Sequence, residues 1–467
     1  MQRETSGHAR YLRDRRERIA RAWDLRDVPV IIPAGLPIPI AGTDLFHDFH
    51  AHNEYQYLAG VAEPGGVLVF DPSEGWSLFL RRPSKEERVW VGDGVPIDQL
   101  VAESGIERAM PVDGLAAWLE RRRSATIALL GNHDIEHRAG EYGLPGWAQF
   151  ELAVDVALSG RLSEQVSESR RAKDPWELKL MRAAAEASHR GHMAGLRLAR
   201  PGMTERQLQI EIEAEFFRAG GDRTAYGSIV AGGEHAAVLH FAPSARPFAE
   251  GELILVDAGA EVRGYASDVT RTYPAGDRFE GVQRDLYQLV LRVQQDAIAR
   301  ALPGQEYKEL HLDASRQIAA GLVDLGILRG DPADLVDRDA QALFFPHGLG
   351  HMLGLATHDA GGCLAGRERS ARPTLAYLRA DLPLQPGYVV TVEPGVYFIR
   401  ALLEDPANRE QFRHDVDWDR VDAMIDFGGI RIEDDVLVTA DGPEILSAAT
   451  PKAIDDIEAI RRESLRA

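Results

Sequence analysis

The chain has 467 residues, with 53 Lys and Arg against 73 Asp and Glu, and its formal charge of −20 disfavours nucleic acid and anionic membranes as partners. Hydrophobic residues make up 45%, as in a globular protein with room for two domains, and no apolar run approaches the length of a membrane span. The single cysteine, Cys363, excludes a disulfide within the chain, and the start of the sequence lacks the apolar run of a signal peptide, so the expected location is the cytoplasm.

Taken in order, residues 9–23 pattern as a helix, with Leu12, Ile19 and Ala20 on one side. The β-like runs 28–32, 66–70, 76–80, 88–91 and 125–130 follow, with a helical stretch at 114–122. This alternation predicts a smaller mixed α/β domain over residues 1–165. Within it, Asp48-Phe49-His50, Gly92-Asp93 and Gly131-Asn132-His133-Asp134 resemble fragments of the calcineurin-like phosphoesterase motifs. That family's second Asp and its later Gly-His-x-His are missing, and a turn after a strand accounts for Gly-Asn-His-Asp.

Residues 167–173 are polar and predict an exposed connection into a second domain over 166–467. A helix start follows, with Asp174 as N-cap, Pro175 in the first turn and Glu177 completing a capping box. A second start at Thr204, with Gln207 as its partner, runs through Leu208, Ile212 and Phe216. A comparable pair, from about 282 to 301 and from about 307 to 325, recurs roughly a hundred residues later, which suggests an internal duplication.

The strand sequences sharpen that reading. Residues 251–259 read G-E-L-I-L-V-D-A-G and 387–395 read G-Y-V-V-T-V-E-P-G, each with a lone acid at the seventh position, Asp257 or Glu393. In each half a later acid lies four residues after a glycine, Asp268 after Gly264 and Glu433 after Gly429. One acid at the end of an apolar strand is explained by solvent or a salt bridge; four in symmetric positions are better explained by hard divalent cations, which want carboxylate oxygens. The stretch 345–359, F-P-H-G-L-G-H-M-L-G-L-A-T-H-D, supplies His347, His351 and His358. His240 is a fourth candidate, with a hydrogen-bonded histidine at a strand end as the plainer reading.

These residues resemble the pita-bread metallopeptidases, the group of methionine aminopeptidase, aminopeptidase P and prolidase. V-D-A-G, S-D-V-T-R-T-Y, P-H-G-L-G-H-M-L-G-L-A-T-H-D, V-T-V-E-P-G-V-Y and G-I-R-I-E-D-D-V-L-V-T occur in the family's order over about 171–467. Residues 49–64 resemble, less closely, the amino-terminal domain of aminopeptidase P. The resemblance implies a catalytic domain with an internal pseudo-twofold repeat, and a homodimer. It implies two divalent ions held by Asp257, Asp268, His351, Glu393 and Glu433, with Asp268 and Glu433 bridging. The oxygen-rich set suits Mn²⁺, with Co²⁺ and Zn²⁺ as alternatives.

The implied chemistry is attack by a metal-activated water on the bond preceding proline. Glu393 acts as proton shuttle, a metal with His240 or His358 stabilises the developing charge, and His347 and Arg431 complete the catalytic group. Tyr226, His240, His347 and Arg379 are the expected substrate contacts. Two features direct the expectation to prolidase, acting on Xaa-Pro dipeptides: an insert at 400–427, and Arg379 about fourteen residues before Glu393, suited to a free carboxylate. The alternatives are aminopeptidase P, acting on longer peptides, and a binding protein on an inactive fold. One departure from the family pattern is His240-Phe241-Ala242-Pro243-Ser244, where the family often has His-Tyr followed by an Asn three residues later.

Overall fold

The structure, a computed structural model, describes residues 2–132, 138, 140 and 144–466. The chain divides into two compact units, Met1–Arg170 and Arg171–Ala467. In the first, the strands β1 (Val30–Pro33), β2 (Val67–Asp71), β3 (Gly75–Leu80), β4 (Ala109–Pro111), β5 (Thr126–Leu129) and β6 (Ala153–Val154) form one sheet in the order β4-β3-β2-β1-β5-β6. Strand β2 runs antiparallel to both its neighbours and the remaining pairs are parallel, which is the mixed sheet expected. Ile31, Val69, Phe79, Leu119 and Ile127 close one core cluster. Trp23, at the end of the helix Gln2–Trp23, meets Phe70 edge-on at 5.7 Å between ring centroids.

The expected strand at 88–91 is instead the end of the helix Lys85–Val91. Ser84 accepts the Glu87 N–H and the Glu87 carboxylate returns to the Ser84 N–H, a capping box that outweighs the β propensity of Val-Trp-Val. Val89, Trp90 and Val91 are exposed, so this run has no core to pair into. Of the phosphoesterase-like fragments, His133 and Asp134 lie outside the described residues, and Gly131 turns at φ 73° just beyond β5.

The second unit carries the duplicated pattern. The helices Pro175–Leu198 and Glu205–Arg218 begin with both capping boxes in place, Asp174 with Glu177 and Thr204 with Gln207. The helices Val282–Ala299 and Tyr307–Asp324 are their counterparts. In the first half Leu253–Asp257 pairs antiparallel with Thr270–Pro274, Asp257 facing Thr270. In the second half Val389–Val392 pairs antiparallel with Asp434–Thr439, Val392 facing Asp434. Leu286, Val290, Leu310, Ile318 and Leu322 pack with Val256, Val392, Ile430 and Val436 in one core. Each such buried side chain stabilises the fold by about 1.5–3 kcal/mol.

The connection at 167–173 is not an exposed linker. The helix Val156–Ser169 extends into it, and Arg170, Arg171 and Lys173 are buried. Arg171 donates to the carbonyls of Gly361 at 2.7 Å and Cys363 at 3.0 Å, and Lys173 Nζ lies 3.1 Å from Asp359 Oδ2. Long cationic side chains can be buried when their N–H groups meet carbonyls and carboxylates, and those partners are remote in sequence. No helix among the described residues is long and apolar enough to cross a membrane.

Two buried histidines set an acid limit on stability. His192 sits against the Ala258 carbonyl and His311 against that of Thr374, and burial lowers both to about 4. The fold therefore favours the neutral rings. Their contribution is complete above the unfolded value of about 6.5 and is lost as pH falls through the folded value of about 4, on the order of 3 kcal/mol for each ring. Thermal melts of the metal-free protein should fall steeply between pH 6.5 and 4, and His311→Gln should flatten that slope.

Candidate metal centre

Each of the four strand-associated acids sits where a strand begins or ends. Asp257 closes Leu253–Asp257 and Glu393 immediately follows Val389–Val392; Asp268 precedes Thr270–Pro274 and Glu433 precedes Asp434–Thr439. Asp268 and Glu433 thus lie beside the strands rather than within them, where backbone pairing is interrupted and a side chain can turn inward. The segment Thr270-Arg271-Thr272 sews the halves together. The Glu433 N–H donates to the Thr270 carbonyl at 3.1 Å, and the Thr272 hydroxyl donates to the Arg431 carbonyl at 3.0 Å.

His351 joins them because Gly350 precedes it. A Cβ at Gly350 would stand 2.2 Å from the Thr391 carbonyl oxygen and 2.4 Å from the Tyr307 hydroxyl, so only glycine fits. The Thr391 N–H donates to the His351 carbonyl at 2.9 Å, and the His351 N–H to Thr391 Oγ1 at 3.1 Å. His351 Nδ1 lies 3.0 Å from the Met352 carbonyl oxygen and directs its proton there. Nε2 is left facing Asp268 at 3.4 Å and Glu393 at 3.6 Å. Asp268, His351 and Glu433 each offer a ligand atom within 4.8 Å of the others.

Asp257 is held alongside. Its Oδ1 accepts the Tyr226 hydroxyl at 2.6 Å and its Oδ2 lies 2.5 Å from Arg431. Arg431 also donates to Thr270 Oγ1 at 3.1 Å and to Tyr397 at 2.8 Å, and the Thr270 hydroxyl donates to Glu433 Oε2 at 2.7 Å. The hydroxyl of Tyr226, an expected substrate contact, braces Asp257.

The electrostatics test whether this set suits a cation. Burial raises Glu393 to about 7, with the charges of Asp268 and Asp257 adding to the effect. Burial and the neighbouring Asp268 and Glu393 push Glu433 far above the usual carboxylate range, and burial raises Asp257 despite Arg431. Burial works against charge on His351, but the hydrogen bond to Asp268 and the negative charge of Glu393 prevail and raise it to about 9. Burial opposes charge on Asp268 as well, but its hydrogen bond to His351 lowers it. A pocket that raises its other three carboxylates and holds a charged imidazole against the fourth calls for a cation. Four carboxylates and one imidazole fit hard divalent cations.

The remaining expected residues surround this group. His347 bonds the Gly348 carbonyl and the Tyr397 hydroxyl, each at 2.8 Å; burial, with Arg431, lowers it to about 3. His358 stands edge-on to His351, centroids 4.4 Å apart, and burial with the charges of His351 and Arg379 lowers it to about 4. His240 lies in an exposed turn after the short helix Gly233–Ala237, not at a strand end, within electrostatic reach of His347 and His358. Arg379 is exposed in a loop close enough to influence His358.

Sequence reasoning missed Asp435, Thr270 and Tyr397. Buried Asp435 accepts the Asp268 N–H at 3.0 Å and the Ser267 hydroxyl at 2.8 Å. Its neighbour Asp434 takes Arg271 at 2.7 Å, Gln294 at 2.8 Å and Lys452; burial opposes its charge, but Arg271 and Lys452 lower it to about 2. The run Glu-Asp-Asp at 433–435, opening an otherwise apolar strand, was the available signal.

A duplicated α/β scaffold that gathers buried carboxylates and an imidazole at its midline defines a metallohydrolase of the pita-bread fold. The chain belongs to metallopeptidase family M24, whose model matches residues 179–440, and residues 12–128 match the aminopeptidase P N-terminal domain. Membership implies divalent metal ions. Among similar proteins, a Xaa-Pro aminopeptidase of Haemophilus influenzae is 33% identical over 418 residues, 89% of each chain. One of Escherichia coli is 32% identical, over 89% of this chain and 90% of that one. The aminopeptidase PepP of Pseudomonas aeruginosa superposes with a TM-score of 0.80 at 32% identity, covering 98% of this chain and 99% of that one.

Proposed function

We propose that the chain is a Xaa-Pro aminopeptidase, cleaving an N-terminal residue from a following proline in peptides longer than two residues. The observation that carries this reading is the cluster of Asp268, His351 and Glu433, with Glu393 beside His351 and Asp257 held alongside by Tyr226 and Arg431. Asp257, Asp268, His351, Glu393 and Glu433 would hold two divalent ions, Mn²⁺ matching the oxygen-rich set best. Bound there, such ions polarise a peptide carbonyl and lower the pKa of water. Glu393 takes the proton of the attacking water and passes it to the imide nitrogen, which has no N–H of its own. His358 is held neutral and can donate a hydrogen bond without adding charge, so it and His240 are the groups that would meet the carbonyl oxygen, while neutral His347 spends its one N–H on the Gly348 carbonyl and accepts from Tyr397. Arg431 opposes the effect of burial on Asp257 and holds it in place.

Similarity to proteins named Xaa-Pro aminopeptidase supports this reading over the dipeptidase one, which rested on Arg379 and residues 400–427. The test is metal-dependent cleavage of a Xaa-Pro-Xaa tripeptide; a chain that takes up no cation would be a binding protein on this fold.

A further inference from the structure

The loop that carries His240 is anchored by one buried carboxylate. Glu205 opens the helix Glu205–Arg218, and its side chain is 0% exposed. Its Oε1 accepts the Gly232 N–H at 3.0 Å and lies 2.8 Å from His235 Nδ1. Its Oε2 accepts the Ser244 N–H at 3.1 Å and the Ser244 hydroxyl at 2.6 Å. The start of the same helix adds backbone support: Glu205 N–H to the Arg246 carbonyl at 3.1 Å, and Arg206 N–H to that of Ser244 at 2.9 Å. The His235 ring stacks on Phe241 at 4.3 Å. His240 therefore lies between two residues that Glu205 holds, His235 and Ser244, within the segment that the His235–Phe241 stack closes. The unusual Phe241 and Ser244 are the residues that make these contacts.

We propose that Glu205 is a positioning residue for His240. Its carboxylate ties both ends of the 232–244 segment to a rigid helix, so the exposed imidazole is presented toward His347 and His358 by the loop beneath it. The N–H groups of Gly232 and Ser244 face different oxygens of Glu205. An amide cannot replace the carboxylate, because its NH₂ would oppose one of these donors. The kinetic consequence rests on the peptidase reading above; the structural consequence rests on the geometry alone.

Hydrogen exchange and a double-mutant cycle on the metal-loaded chain separate the two. Glu205→Gln should accelerate amide exchange across 232–246 while exchange elsewhere in the helix Glu205–Arg218 is retained. It should lower kcat/KM on a Xaa-Pro-Xaa peptide by about 10- to 100-fold, the scale of a displaced reactive group. Ser244→Ala, which removes a single bond, should do the same to a smaller extent, giving a second reading where Glu205→Gln folds poorly. In a His240→Ala background either substitution should have little further effect. Unchanged loop exchange, or an undiminished kinetic loss without His240, would overturn the proposal. If the wild type cleaves no such peptide, the peptidase reading fails and the exchange data alone decide the clamp.

Discussion

Glu433→Gln should abolish metal-dependent hydrolysis while leaving the metal-free fold as stable as the wild type, or more so. The two effects have opposite signs because the carboxylate is misplaced without a cation. Burial and the charges of Asp268, Glu393 and Asp257 all oppose its ionisation. A glutamine carries no charge, and its carbonyl oxygen can still accept the Thr270 hydroxyl that meets Glu433 at 2.7 Å. The backbone bond from Glu433 to Thr270, which joins the two halves, is untouched. A divalent ion loses a carboxylate, and with it the several kcal/mol it contributes to the transition state, so activity should fall about 10³-fold or more. Calorimetry of apo and metal-treated protein, beside peptide hydrolysis, checks this: the apo Tm should hold or rise, and the rise on adding metal should disappear. A Tm drop of several degrees in the apo form would show that Glu433 is needed to hold the fold.

Asp359→Ala should destabilise the second unit by about 3–5 kcal/mol, the cost of removing one partner of a buried ion pair. The side chains of Lys173 and Asp359 are each 1% exposed, 3.1 Å apart. The pair ties the start of the second unit to the loop that follows His358. Asp359 also donates its N–H to the Met352 carbonyl at 2.9 Å, fixing the turn beyond His351. Replacing both charges, as in K173M with D359L, should recover much of the loss, since two desolvated charges are exchanged for apolar packing. Denaturant unfolding of the single and double variants measures the difference. Equal losses in both would mean that the pair is a matter of shape and not of charge.

The strand acids were legible because an acid at the end of an apolar strand is unusual and here it recurs in register: Asp257 and Glu393 share a position in two glycine-bounded segments. Helix starts at Asp174 and Thr204 were legible because capping is local, set by residues three apart. The same local rule, applied to Ser84 and Glu87, would have corrected 88–91, where β propensity was followed without a sheet to join. What could not be read were partners distant in sequence. Arg171 and Lys173 look like solvated charges until the loop at 359–363 arrives to receive them. Nothing local to Tyr226 reveals its bond to Asp257, 31 residues on. Burial of a polar residue depends on what meets it, and that is set by tertiary packing.

The most direct measurement is the rate of hydrolysis of a Xaa-Pro-Xaa tripeptide beside the matching Xaa-Pro dipeptide, with the chain stripped by chelator and then reloaded with Mn²⁺. A metal-dependent aminopeptidase should be silent when stripped, regain activity on reloading with about two ions per chain, and give the higher kcat/KM on the tripeptide. Preference for the dipeptide would contradict the proposed substrate and return the assignment to a dipeptidase. Failure to take up metal or to cleave either peptide would contradict the enzyme itself.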